Sequence, residues 1–527
     1  MNKLFRLISL PIKLLSLCFL NKQESRVEQL LKLHRTTESI EKQPILVQIV
    51  EDYAFLNRFI FFLKASTLST KQKYDLNWVY ALIPFRNNCT FKNYWLGERI
   101  YGTLARGKWI RLFLALGGKV VGSNNGPKPS HNQKAVAKEL LKKISSTFEL
   151  VEINYAGILI GDLVNDTYLR FAHQPTVHLD DPFLLEVMEW AISLTDKYDT
   201  LFRTKKFLFY LCSYTTYIQH GTAARMALKH NVPVYSMGTY NQLVVRPQIE
   251  FAFHKRDFHK YRIWFDSLTL TQKEEGLRYG HESLNDRLSG KLDKALWYMR
   301  QSAYLSDPNT ELDKILSPKI KKTVLVVTHD FFDSPHIYGK MIFPDFYIWL
   351  EKTLETLYNS EYEVLIKPHP NSIKGNAETL DFFAKKYPSF IFLPQKTSSA
   401  ELVKRGVDLV VTIYGTIGHE MAYLGVPVLC AGVNPHLSFN FCTTAKSKDE
   451  YYRFLRNIDT VPIPPKQSSE VAAFYYVHNY RNITEKISLF PFQLSCEELS
   501  RMIDPDNTEF ASRIETIQQS LERVSEM

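Results

Sequence analysis

The chain has 527 residues, which at roughly 150 per domain suggests about three domains or two large ones. Hydrophobic residues at 45% and charged residues at 23% exclude a disordered chain, a collagen and a coiled-coil rod. With 65 basic against 55 acidic residues the formal net charge is +10, a small excess that favours anionic partners without forming a polybasic tail.

The first 20 residues, MNKLFRLISLPIKLLSLCFL, are the most hydrophobic stretch. Arg6 and Lys13 interrupt the apolar run, so no membrane span is expected. Leu20 leads directly into Asn21-Lys22-Gln23-Glu24 with no small-residue cleavage site, which argues against a signal peptide. On a helical wheel Lys3, Arg6, Ser9, Lys13 and Ser16 share one face, and Leu4, Leu7, Ile8, Ile12, Leu15 and Phe19 the other. That pattern fits a helix lying in a membrane interface with its cations on anionic lipid, and equally an amphipathic helix packed on its own domain. Pro11 would kink it.

Further along, β-branched and apolar runs predict strands at Ile45–Val50, Trp78–Ile83, Lys119–Val121, Ile158–Ile160, Phe207–Leu211 and Val232–Ser236. Helical periodicity falls at Glu51–Leu63, Gln133–Ile144, Leu184–Leu201 and Ala223–His230. Residues 265–318 read as helical and charged, punctuated by Pro308 and Pro318. Order is clearest after that point. Strands are expected at Thr323–Thr328, Glu363–Ile366, Phe390–Leu393, Asp408–Thr412 and Pro427–Ala431. Helices are expected at Phe346–Tyr358 and Ala377–Lys386, from Ser398, and up to Tyr423. Residues 468–527 read as a helical, polar tail. The alternation predicts α/β architecture: two doubly wound parallel-sheet, Rossmann-like domains facing a cleft. The expected division is an amphipathic segment 1–30, an acceptor-side domain 31–318 with helical insertions, a nucleotide-binding domain 319–467 and the tail 468–527. Six cysteines without a CxxC pair offer neither a zinc motif nor a disulfide framework, which fits a reducing, cytoplasmic compartment.

Candidate chemistry sits at the strand exits. Lys367-Pro368-His369-Pro370 follows the Glu363–Ile366 strand, where prolines fix the direction of the imidazole; Lys367 and His369 suit a phosphate, or the turn is simply rigid. In DLVVTIYGTIGHEMAYLGVPVLCAG a strand, a glycine turn at Tyr414-Gly415-Thr416 and a helix offer free N–H groups to an anion, with Glu420 one turn in to accept from ribose hydroxyls, or to stand as an exposed glutamate on a plain turn. Ser398 and Ser399 open another helix, with Ser398 a candidate cap and both hydroxyls candidates for phosphate contact. Asp162 and Asp166 follow the Ile158–Ile160 strand one turn apart, as candidate general bases, with a helix cap as the structural alternative for Asp162. His220, expected in a loop ahead of a helix, is a further candidate. His329, Asp330, Asp333 and His336 crowd the loop after the Thr323–Thr328 strand, which is expected to face the cleft and to contact donor or acceptor; a metal site is open to these residue types, but their spacing fits no common ligand motif. The single DxD, Asp504-Pro505-Asp506, lies in the polar tail and reads as a turn.

The KPHP motif, the TSSAEL helix start and the DLVVTIYGTIGHEMAYLGVPVL segment together resemble the capsule polysaccharide biosynthesis glycosyltransferases, which have the GT-B fold. Similar patterns occur in β-Kdo transferases, GT-B sialyltransferases and CDP-glycerol glycerophosphotransferases. The resemblance covers Thr323–Gly432, with weaker echoes at GDLVNDTYLR from Gly161, at HGTAAR from His220 and at Gln174-Pro175. It implies a nucleotide-sugar donor, a CMP-linked ulosonate first among them, and a surface-glycan or lipid-linked acceptor. It also implies that His369 contacts the nucleotide phosphate and that the Gly415–Glu420 turn holds the nucleotide. The nucleotide sugar is a substrate, so no cofactor and no metal are expected. A CDP-alditol phosphotransferase, a UDP-sugar epimerase and a degenerate scaffold are the competing expectations. Nucleic acid is not an expected partner, because no basic stripe interleaved with aromatics occurs.

Overall fold

Two parallel sheets organise the chain. The computed structural model describes residues 19–33, 42–49, 60, 63, 73–80, 110–121, 128–236, 244–246, 248–249, 258–291, 304, 320–339, 341–370, 374–464, 468–480 and 495–504. The first unit contributes β1 (Lys42–Ile49), β2 (Lys73–Tyr80), β3 (Lys119–Val120), a hairpin β4 (Asn154–Tyr155) and β5 (Ile158–Leu159), then β6 (Tyr210–Cys212), β7 (Val234–Ser236) and β8 (Val244–Arg246). Its sheet runs β3-β2-β1-β6-β7-β8, parallel except for β8 on β7. The second unit contributes β9 (Thr323–Val327), β10 (Glu363–Lys367), β11 (Ile391–Phe392), β12 (Leu409–Thr412), β13 (Val428–Cys430) and β14 (Thr443–Thr444). Its order is β11-β10-β9-β12-β13-β14, parallel throughout.

Each sheet starts in the middle, grows to one side and then switches to the other. That is the doubly wound Rossmann order, and it opens a crevice beyond the strand ends, between β1 and β6 in one unit and β9 and β12 in the other. The reason is visible in composition. All five residues of β9, Thr-Val-Leu-Val-Val, are buried, as a strand covered by helices on both faces must be. Each such valine or leucine contributes roughly 1.5–3 kcal/mol relative to exposure. Separate apolar clusters fill the two faces of the second sheet, one under the Phe346–Leu357 helix and one under the Ser399–Lys404 helix.

Caps set the helix starts. Ser130 and Gln133 form a reciprocal capping box on His131–Lys142, and Asp181 caps Pro182–Thr204 through Phe183 N with proline in the first turn. Asp345 caps Phe346–Leu357 by accepting from Ile348 N at 2.7 Å. The units touch directly. The Gly161–Tyr168 helix of the first meets the loop after β9, Thr176 Oγ1 donates to Asp345 Oδ2 at 2.7 Å, and His173 stacks on Phe332 at 4.2 Å. The result is the GT-B arrangement of two Rossmann-like units.

Several expectations change. Ile158–Ile160 is not part of the main sheet: Ile158–Leu159 pairs antiparallel with β4 in a hairpin. The described parts of the tail, residues 468–480 and 495–504, are helical but largely buried. In the Ser468–Tyr475 helix Val471, Ala472, Ala473, Phe474 and Tyr475 are all buried, packed on the Leu270–Leu288 helix. A further helix, Cys496–Met502, returns to the first unit, where Leu499, Met502 and Ile503 join Val27, Leu30 and Leu31 in one core. The helix supplying those partners, Lys22–Leu33, runs through residue 30. Most of the expected helix at Glu51–Leu63, Pro308, Pro318 and residues 1–18 lie outside the described residues. Among the described residues no helix is long and apolar enough to cross a membrane.

Candidate functional site

The loop after β9 carries His329, Asp330 and His336 to the crevice of the second sheet. Asp330 accepts from Phe332 N at 3.0 Å, and burial pushes its carboxyl up to about 6. His329 sits among three rings, 4.5 Å from Phe346, 5.1 Å from Tyr414 and 5.5 Å from His369. His369 therefore reaches the crevice beside His329, and its backbone is held by Gln395, whose Nε2 donates to the carbonyls of His369 and Pro370 at 3.2 and 2.8 Å. Tyr414 is not offered to a ligand. It is buried, its hydroxyl donates to the Ser334 carbonyl at 3.2 Å, and its ring packs on Tyr338 and Phe346.

His336 leaves this loop and crosses to the first unit. Its Nδ1 lies 2.7 Å from Asp166 Oδ1, and its backbone N–H donates to Asp166 Oδ2 at 3.3 Å. Both side chains are buried, His336 at 7% exposure and Asp166 at 1%. Burial lifts the Asp166 carboxyl above its ordinary value, with His336 pulling it back. Burial alone would depress the His336 imidazole, but the Asp166 carboxylate outweighs it and holds it above its ordinary value. Asn165 Nδ2 donates to the Pro344 carbonyl at 3.2 Å and reinforces the junction. A carboxylate accepting from Nδ1–H fixes the tautomer and leaves Nε2 as the proton-accepting atom.

Two non-glycine residues in left-handed backbone flank this junction. His173 has φ +56° and Tyr217 φ +60°. The Tyr217 phenol is pushed up by burial first and by Asp333 next, and it bonds to Ser334 of the loop after β9. Such backbone costs on the order of 1–3 kcal/mol and clusters at functional positions.

Asp162 has a different place from the one expected. It shares the Gly161–Tyr168 helix with Asp166, but its two oxygens meet Arg225 in a fork, at 2.5 and 2.6 Å, both residues being buried. Arg225 also donates to the Leu159 carbonyl at 2.6 Å. The helix cap position is Ile160, with no side-chain bond, so Asp162 is neither cap nor free carboxylate.

His220 is not in a loop ahead of a helix; it lies in the first turn of Tyr217–Lys229. Its Nδ1 is 2.9 Å from Gln48 Nε2, while Gln48 Oε1 accepts from Ser213 N and Oγ at 3.1 and 2.9 Å. The backbone donor fixes the Gln48 amide, so Nδ1 of His220 is an acceptor and its proton sits on Nε2. Burial depresses its imidazole to about 4. Gln48 near the end of β1 and Ser213 just past β6 place this neutral histidine at the crevice of the first sheet.

The Gly415 turn has the predicted form. Gly415 sits at φ +139° ahead of the Thr416–Tyr423 helix, and a Cβ there would meet open space, so backbone conformation, not crowding, requires glycine. Glu420, however, is not presented to a ribose. It is 1% exposed, pairs with Arg287 and accepts from Tyr304 Oη at 2.5 Å. Burial would raise its carboxyl, but the Arg287 guanidinium holds it below its ordinary value. Arg287 Nη2 also reaches Thr416 Oγ1 at 3.3 Å, tying the helix start to Leu270–Leu288. Ser398 does not cap its helix; its hydroxyl donates to the Tyr304 carbonyl at 3.0 Å. Ser399 is buried beside it and its Oγ makes no hydrogen bond. Lys367 is 2% exposed, and burial depresses its amine to about 8 although Glu420 opposes this.

The loop after β9 thus holds His329 and Asp330 near His369 at one end and His336 on Asp166 of the first unit at the other, while Asp162, Tyr414 and Glu420 are buried in ion pairs or ring packing. Arg287, Tyr304, Gln48, Ser213 and Tyr217 were not singled out from sequence. Arg287 and Tyr304 lay in the charged helical stretch, where nothing marks a buried partner.

No family model matches the sequence, and no curated protein matches it. Similar solved structures include the KpsC β-Kdo 2,4-transferase of Thermosulfurimonas dismutans, at 13% identity and TM-score 0.30 over 51% of this chain and 79% of that one. A UDP co-structure of S. aureus MnaA matches at 10% identity and TM-score 0.25 over 85% and 98%. Acinetobacter baumannii MurG matches at 11% identity and TM-score 0.24, again over 85% and 98%. These overlaps are weak in sequence and superposition, and the fold rests on strand order.

Proposed function

We propose that the chain is a glycosyltransferase, moving a sugar from a nucleotide-sugar donor to a hydroxyl of a glycan or lipid-linked acceptor. The observation that carries this reading is the buried Asp166–His336 pair, which joins a helix of one Rossmann-like unit to the crevice loop of the other. An imidazole oriented by a carboxylate at the meeting of two nucleotide-type crevices is placed to take an acceptor proton. His336 is the base, and Asp166 positions it. On the donor side, His369 and Lys367 stabilise the departing phosphate, and the N–H groups opening the Thr416–Tyr423 helix bind it. Glu420 and Arg287 act by holding that helix in register. The sequence resemblance favours a CMP-linked ulosonate donor, and residues 1–20 would rest on an anionic membrane surface.

The reading is tested by thermal melting with CMP, CDP, UDP and GDP. One of these nucleotides raises the melting temperature of wild type, and His369→Ala removes the rise. Absence of any shift, or an undiminished shift in the variant, contradicts the proposal. Offering CDP-glycerol beside the nucleotide sugars, and assaying phosphorus in the product, separates sugar transfer from alditol-phosphate transfer.

A further inference from the structure

Cys430, His436 and Cys442 are spaced as C-x5-H-x5-C, which matches no common metal motif, yet the fold gathers them. Cys430 ends β13, Cys442 immediately precedes β14, and the intervening chain folds back to bring His436 between them. One ligand atom from each lies within 4.8 Å of the other two. Cys430 is fully buried and His436 is 2% exposed, while Cys442 is half-buried. The His436 Nε2 atom is buried and makes no hydrogen bond. All three converge beside Gly418. A Cβ built on that glycine would stand 3.1 Å from His436 Nε2 and 3.9 Å from each of the two Sγ atoms.

We propose that these three side chains bind one zinc-class divalent cation, which staples the end of β13 and the loop before β14 to the first turn of the Thr416–Tyr423 helix. Two thiols and an imidazole are the donor set such an ion prefers over magnesium or calcium. The small residue at 418 keeps the convergence point clear, and the orphaned imidazole nitrogen has a partner once the ion is there. The fourth position is left for a water molecule. Asn434, whose side chain lies against the Cys430 thiol, has a buried Oδ1 that accepts no hydrogen bond and can receive one from that water. The ion takes no part in sugar transfer; its role is to tie down the helix whose start faces the donor. The proposal stands independently of the assigned reaction.

The test uses the full chain, reduced, stripped with a chelator and titrated with zinc and, separately, cobalt. One equivalent of zinc binds, the melting temperature rises with zinc concentration by mass action, and two thiols become protected from alkylation. Cobalt gives the visible bands of a tetrahedral site and a thiolate charge-transfer band. Cys430→Ser and His436→Asn each lose tight binding. Because either could also disturb the fold, Gly418→Ala is the second variant: it keeps every ligand, places a methyl at the convergence point and weakens zinc at least tenfold. The proposal is overturned if zinc binds at less than half an equivalent, if cobalt gives an octahedral spectrum, or if Gly418→Ala binds zinc like wild type.

Discussion

Replacing Lys367 by methionine separates stability from ligand binding on the donor side. The lysine is buried at the end of β10, and burial brings its amine from 10.5 to about 8. At about pH 7 the group is still charged in the folded chain, so folding carries a desolvation penalty. From those two values it is on the order of 3 kcal/mol, an upper bound that local water would reduce. The sign follows from the depressed value. The penalty is full below about pH 8 and fades as pH rises toward 10.5, where the unfolded chain also loses its proton. Methionine has a similar length and no charge. Lys367→Met therefore melts above wild type near pH 7, by a margin that shrinks through the alkaline range. The same variant loses the nucleotide-induced melting shift, because the cation for the phosphate is gone. The assay is differential scanning fluorimetry across pH, with and without nucleotide. A variant that melts below wild type at pH 7, or that keeps the nucleotide shift, contradicts the role given to Lys367.

Breaking the Asp162–Arg225 fork by Arg225→Leu leaves a buried, uncompensated carboxylate and costs about 3–5 kcal/mol in urea unfolding; Asp162→Leu with Arg225→Leu recovers most of it. A loss under 1 kcal/mol would show the pair to be dispensable. Glu420→Gln strands Arg287 and lowers stability, while its effect on donor KM stays within about threefold; a larger KM effect with an unchanged melting temperature would return Glu420 to the ribose. The kcat–pH profile of wild type has its acidic limb above the ordinary histidine value of 6.5, because Asp166 favours the imidazolium, and in Asp166→Asn the limb moves to lower pH. By the same linkage, the His336 imidazolium's contribution is lost as pH rises through its elevated value in the folded chain, and the contact weakens again at acid pH, where the raised Asp166 carboxyl takes up a proton. A limb unmoved by Asp166→Asn removes His336 as the titrating base.

The central strands of the second sheet were legible because they are buried on both faces and read as short apolar, β-branched runs, TVLVV at β9 and LVVT at β12 being the clearest. The Gly415 turn was legible because its backbone requirement is local. Roles that depend on distant partners were not. Asp162 and Asp166 have the same spacing and the same helix, and only Arg225, 63 residues on, and His336, 170 residues on, separate structural ion pair from candidate machinery. Glu420 read as an exposed ligand group because Arg287 and Tyr304, 133 and 116 residues upstream, were invisible as partners. Ile158–Ile160 has strand composition, yet a two-residue turn at Ala156-Gly157 folds it on Asn154–Tyr155 before it can join the sheet. The tail misled because its first helix is short: the buried Val471–Tyr475 face is flanked by polar sequence that dominates the composition.

The assignment of sugar transfer to the Asp166–His336 junction is tested most directly by nucleotide release from a panel of CMP-, CDP-, UDP- and GDP-linked sugars in the presence of glycan acceptor, with wild type and His336→Asn side by side. Wild type releases one nucleotide class, and in the variant kcat falls by about 10²–10³ with the nucleotide-induced melting shift retained. Release from none of the donors, or a variant as active as wild type, contradicts the assignment.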